Sequence, residues 1–263
     1  MPEDREARRM PASDALTADA RIAGRTSPAE AVRIDARFAG PPGSANGGYT
    51  AGRLATLLPA GAVIEVTLRQ PPPLETRLDV AVADDRATLL FGGAVIADAV
   101  LSQLTEDVVD PVSFDAATEA MSTYAGFDEH PFPGCFVCGT DRPSPDGMGL
   151  RPGRVPGRPD CVATTWVPDP SVSSGDGYAL VEAAWAALDC PGGWSADLVG
   201  RPMVLGRMTA AVDALPRVGD PCVVVGRWLG AERRKTFTAS TLYDADSRVL
   251  GRAQATWIAL GGG

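Results

Sequence analysis

The stretch Leu180-Val181-Glu182-Ala183-Ala184-Trp185-Ala186-Ala187-Leu188-Asp189 has the composition of a helix but leaves it no continuous polar face. A surface helix keeps one side polar, so this one is expected to be enclosed all round. Read over 178–189, it should stop before Pro191, because proline removes a helix donor. Four strand-like runs follow at 204–212, 222–229, 235–243 and 249–260, each bounded by turn residues. One enclosed helix followed by consecutive antiparallel strands describes a curved sheet wrapped around a helix. Nothing in the order suggests a parallel crossover fold.

The first half repeats this order. A strand is expected at 32–38, then a Gly/Pro-rich turn at 40–48 and a short helix at 49–58 closed by Pro59. Strands are expected at 63–69, 78–83, 87–91 and 95–101, and the second half opens with its own strand at 161–167. The match of element order implies an internal duplication. The segment 115–157 is dense in Pro and Gly and reads as linker and entry loop. The expected organisation is an arm at 1–29, one unit at 30–125 and a second at 126–263.

Composition narrows the function. The 263 residues are 45% apolar and 22% charged, enough for a sizeable core. A net charge of −9 argues against nucleic acid or an anionic membrane as partner. No run reaches the length of a membrane span and no signal-peptide core is evident, and the odd count of five cysteines favours reduced thiols and a cytoplasmic location.

Cys135-Phe136-Val137-Cys138-Gly139, followed by Asp146-Gly147-Met148-Gly149-Leu150, resembles the entry segment of PaaI-like hot dog thioesterases. The runs 235–243 and 249–259 are similar to their last two strands. Asn46-Gly47-Gly48 sits where many of them carry His-Gly-Gly at the helix start. The resemblance spans about residues 30 to 260 and implies an α+β double hot dog: two antiparallel sheets, each around a central helix, joined side by side. It also implies an acyl-CoA or acyl carrier protein thioester as ligand, with no cofactor.

Thioester hydrolysis needs donors aimed at the developing oxyanion and a carboxylate to activate water or attack directly. The N–H groups at the start of the first helix supply donors, and Gly47 and Gly48 let a carbonyl approach the main chain. The family's helix acid is missing from the first half, where Ala55 or Thr56 stands. The second half has Asp189 in that place but Leu180-Val181-Glu182 where the glycine turn should be. Asn46–Gly48 and Asp189 are therefore expected to form one composite site across an internal pseudo-dimer, separated by a gap of about two hydrogen-bond lengths that holds the thioester. Asp189, placed near a helix C-terminus, should have a raised pKa. Tyr49, Glu182, Arg234 and Lys235 are the expected substrate contacts, the last two for phosphates.

Other chemistries fit less well. Cys135 and Cys138 form a Cys-x-x-Cys pair, but a structural zinc site needs four ligands and no second pair is evident, so no metal is expected. His130, the only histidine, lies in the linker, and no Gly-x-Ser-x-Gly elbow is present. The alternative to an enzyme is an acyl-binding protein that has kept the pocket and lost the chemistry.

Overall fold

The structure, a computed structural model, describes residues 31–142 and 146–261; the expected arm at 1–29 lies outside them. Ten strands form one antiparallel sheet in the order β2-β3-β4-β1-β7-β10-β9-β8-β6-β5. They are β1 Ile64–Leu68, β2 Asp79–Ala83, β3 Arg86–Phe91, β4 Ala94–Leu101, β5 Gly153–Val155, β6 Arg158–Trp166, β7 Met203–Val212, β8 Cys222–Glu232, β9 Lys235–Tyr243 and β10 Val249–Ala259. The first four strands stay together and the last six stay together. Instead of two sheets, one continuous sheet results, joined where β1 pairs with β7 from Ile64↔Ala210 to Thr67↔Arg207.

The period-2 alternation of that junction explains why it is specific. Ile64, Val66, Met208 and Ala210 are buried on one face. On the other, Arg207 pairs with Glu65 at 3.4 Å and donates to Thr67 Oγ1 at 3.1 Å. A one-residue slip would exchange the two sets.

Helices α1 (Gly47–Ala55) and α3 (Val181–Trp194) lie on the buried face. They run antiparallel, since Gly48 of α1 meets Asp189 and Gly52 meets Glu182. Their contact is close because both α1 positions are glycine: a Cβ on Gly48 would lie 2.4 Å from Asp189 Cβ, and one on Gly52 would lie 2.7 Å from Glu182 Cα. A third helix, α2 (Phe114–Met121), covers the opposite face of the sheet, where Ala117 and Ala120 pack with Ala163, Val225 and Tyr243.

Four local expectations are corrected. The strand expected over 32–38 is reduced to one bridge, Val32↔Leu78, followed by a 3-10 turn at Ala36–Phe38. Asp35 causes the change: its side chain accepts from Arg37 N at 2.8 Å and draws the backbone out of the extended form. Helix α1 begins before Tyr49, because Asn46 caps it by accepting from Tyr49 N at 2.8 Å. Helix α3 runs on through Pro191 to Trp194. An interior proline costs about 3 kcal/mol, but residues 183–194 are all buried, and packing outweighs propensity. The linker expected to be irregular over 115–157 contains α2 and β5.

Candidate functional site

The N-terminus of α1 meets the interior of α3. Asp189 Oδ2 accepts from Gly48 N at 2.9 Å and from Asn46 Nδ2 at 3.4 Å, while Asn46 Oδ1 caps the helix. Asn46 thus links the cap to the carboxylate. Asn46, Gly48 and Asp189, expected to converge from the two halves, do so, but the expected gap between them is closed by direct hydrogen bonds. Asp189 is 2% exposed and its Oδ1 has no hydrogen-bond partner among the described residues.

Burial raises the Asp189 pKa to about 7; the Gly48 N–H pulls it back, nearby Cys135 raises it, and the Asn46 amide lowers it. The direction matches the expectation, but the reason differs. Asp189 sits inside α3 rather than at its C-terminus, so desolvation and not the end of the helix dipole sets the shift.

A cavity of about 40 Å³ adjoins these groups, lined by Asn46, Gly47, Asp189, Trp194, Trp257 and three cysteines among others. It shares Pro41, Gly47, Phe132, Val204 and Leu205 with an open groove of about 480 Å³, whose further walls include Leu68, Ile258 and Leu260. Gly47 therefore stands between the groove and the buried carboxylate. Its N–H makes no hydrogen bond among the described residues, and the buried indole N–H of Trp257 has none either. Trp257 escaped the sequence reading because it looks like one more apolar strand residue.

The Cys135–Gly139 turn closes the other side of the cavity. Phe136 N donates to Ala39 O at 2.7 Å, and the Cys138 carbonyl accepts from Tyr124 OH at 2.9 Å, Arg151 Nη1 at 3.1 Å and His130 Nε2 at 3.2 Å. His130 Nδ1 accepts from Phe132 N at 2.9 Å, which requires the neutral ring; burial lowers its pKa accordingly. His130 thus has a structural role in this loop. Cys190, next to Asp189 on α3, joins Cys135 and Cys138, and the three Sγ atoms lie within 4.8 Å of one another.

The remaining expected contacts lie elsewhere. The Tyr49 ring stacks on Phe38 at 3.8 Å and meets Phe136 edge-on, away from the cavity. Burial and then Glu182 push its pKa up to about 12. Glu182 pairs with Arg53 at 3.0 Å at the far end of α1. Arg234 donates to Ala259 O at 2.9 Å, and Lys235 begins β9 opposite Glu232 in the same hairpin; neither lines the groove. The basic residue that does line it is Arg69, paired with Asp98 at 2.7 Å.

No protein-family model and no curated protein sequence matches the chain. Solved structures do match. A protein of unknown function with a hot dog fold from Alicyclobacillus acidocaldarius superposes with a TM-score of 0.57 at 12% identity, covering 89% of this chain and 93% of its own. A tesB protein of Mycobacterium avium subspecies paratuberculosis gives 0.56 at 11% identity over 88% of this chain and 92% of its own. A candidate thioesterase II of Thermobifida fusca gives 0.55 at 15% identity over 88% and 92%. Each of these likenesses spans nearly the whole chain, and together they establish that this protein has the hot dog fold.

Proposed function

We propose that this protein is a thioesterase that hydrolyses an acyl thioester of coenzyme A or of an acyl carrier protein. Catalysis takes place at one composite site between two hot dog units, residues 30–125 and 126–263. The observation that carries this reading is Asp189: a buried carboxylate with a pKa near 7, hydrogen-bonded to the start of the opposing helix, in a small cavity that adjoins an apolar groove. A general base works best when its pKa lies near the working pH.

In the reaction, Asp189 takes a proton from water as the water oxygen attacks the thioester carbonyl. The oxyanion is stabilised by the Gly47 N–H and the positive end of α1. When the C–S bond breaks, Asp189 returns its proton to the departing thiolate. The acyl chain lies along Leu68, Leu205 and Ile258. The pairing that separate hot dog chains make by dimerising is built into this chain. All five cysteines are free, which suits a reducing compartment such as the cytoplasm.

A second reading, an acyl-binding protein without turnover, is favoured by two observations. The Gly48 N–H is already held by Asp189, and the cavity beside the carboxylate is only about 40 Å³. A panel of acyl-CoA and acyl carrier protein thioesters, followed by free-thiol detection, separates the readings. Thiol release supports the hydrolase; saturable binding without release supports the binding protein.

A further inference from the structure

We propose that Cys135, Cys138 and Cys190 together bind one soft divalent cation, zinc or a close analogue, through three thiolates. The inference does not depend on the thioesterase reading.

The first support is geometric. Tetrahedral zinc–thiolate bonds of about 2.3 Å place neighbouring sulfurs about 3.8 Å apart. Cys135 Sγ and Cys190 Sγ are 3.9 Å apart, and Cys138 Sγ completes a triangle within 4.8 Å. Cys135 and Cys138 enter on a Cys-x-x-Cys-Gly turn closed by the Gly139 N–H, which donates to Cys135 O at 2.8 Å. The turn is held firmly by the three donors on the Cys138 carbonyl, so two ligands are positioned before any ion arrives.

The second support is electrostatic. Side-chain donors from outside the turn converge on the sulfurs. Trp194 Nε1 donates to Cys138 Sγ at 3.3 Å, and Asn46 Nδ2 reaches Cys135 Sγ at 3.7 Å and Cys190 Sγ at 3.9 Å. Asn46 is also the cap of α1, whose positive end faces the cluster. Three thiolates and one divalent ion leave a net single negative charge, which these donors and the helix end offset. A disulfide would use two of the sulfurs and leave the donors aimed at poor acceptors.

The third support is a buried carboxylate. Asp189 Oδ1 has no hydrogen-bond partner among the described residues, and its side chain lines the same cavity as all three cysteines. Three protein ligands leave a fourth position for a small ligand such as water. Binding releases one proton from each sulfur that enters as a thiol.

The isolated pair seen in the sequence did not suggest a metal because nothing there links Cys190 to it. The fold supplies that link. A metal at this point would tie the entry loop to α3 beside Asp189.

The test uses the full chain, reduced and treated with chelator, titrated with Co²⁺ alone. The expected result is saturation at one equivalent with thiolate-to-cobalt charge-transfer absorption. Cys190→Ser should weaken binding at least tenfold, whereas Cys222→Ser should bind as the parent does. Wild-type protein that shows no charge-transfer band overturns the site, as does Cys190→Ser protein that binds cobalt unchanged. The wild-type measurements do not depend on any variant folding.

Discussion

The two ends of the α1–α3 pair share a geometry and differ in chemistry. At one end Asn46 caps α1 with a side-chain hydrogen bond and faces Asp189. At the other, Leu180 caps α3 without one, and the α1 residues nearby are Ala55 and Thr56. Each end opens to a groove of about 480 Å³. At the Leu180 end the buried acid Glu182 is paired with Arg53, whereas at the Asn46 end Asp189 has amide donors and no cation among the described residues. The contrast teaches that a helix start becomes a candidate reactive site through two positions, the cap and the residue facing it. Glu182 is engaged by a cation in an ion pair. An acid held only by amides retains a proton near neutrality.

The largest expected effect lies where the helices touch. Gly48→Ala puts a Cβ 2.4 Å from Asp189 Cβ and 2.9 Å from Trp185 O, neither of which has room to move. It should cost about 3 kcal/mol or more in chemical denaturation. A neutral result would mean that the helices are not in such close contact.

At the Leu180 end the ion pair should be asymmetric. Glu182 is 8% exposed at its side chain and Arg53 41%. Arg53→Ala strands a buried carboxylate and should cost about 3 kcal/mol, while Glu182→Gln frees an arginine that can reach water and should cost about 1 kcal/mol. Equal losses would contradict the burial assigned to Glu182.

Asp189 should produce the opposite pH dependence from a salt-bridged acid. Its folded pKa, about 7, lies above the ordinary carboxylate value, so the folded state holds the proton more tightly. That contribution to stability is complete below about pH 4 and is lost as pH rises through 7. Between pH 5 and pH 7.5, wild type should lose about 2 kcal/mol relative to Asp189→Asn. Parallel stability curves would show that Asp189 is ionised throughout.

Asn46→Ala removes the cap and one bond to the carboxylate. It should cost about 1 kcal/mol and move the Asp189 titration upward, because a contact that lowers its pKa is gone. A cap loss with no shift in titration would separate the two roles of Asn46.

Much of this molecule can be read from its residues. The strands follow from alternation and turn chemistry, and the enclosed α3 follows from its lack of a polar face. The meeting of Asn46 with Asp189 was legible because each half lacks what the other keeps. The misses share a cause, which is that tertiary contacts decided them. Pro191 stays helical because the surrounding sheet buries it. Helix α2 turns only Ala117 and Ala120 inward, too few for a visible stripe. Cys190 reaches the Cys135 turn through the fold and not through spacing. Arg234 and Lys235 looked like a phosphate patch, yet Arg234 is spent on the carbonyl of Ala259.

The central claim is that Asp189 serves as the base for thioester hydrolysis, and Asp189→Asn tests it most directly. Wild-type and variant protein are compared for acyl-CoA binding and for free-thiol release across pH. The account predicts that wild-type turnover rises with pH through about 7, as Asp189 loses its proton. It predicts that the variant binds within about threefold of wild type and loses turnover by at least about a hundredfold. Turnover that survives in the variant, or a wild-type protein that binds acyl-CoA and never releases thiol, would contradict it.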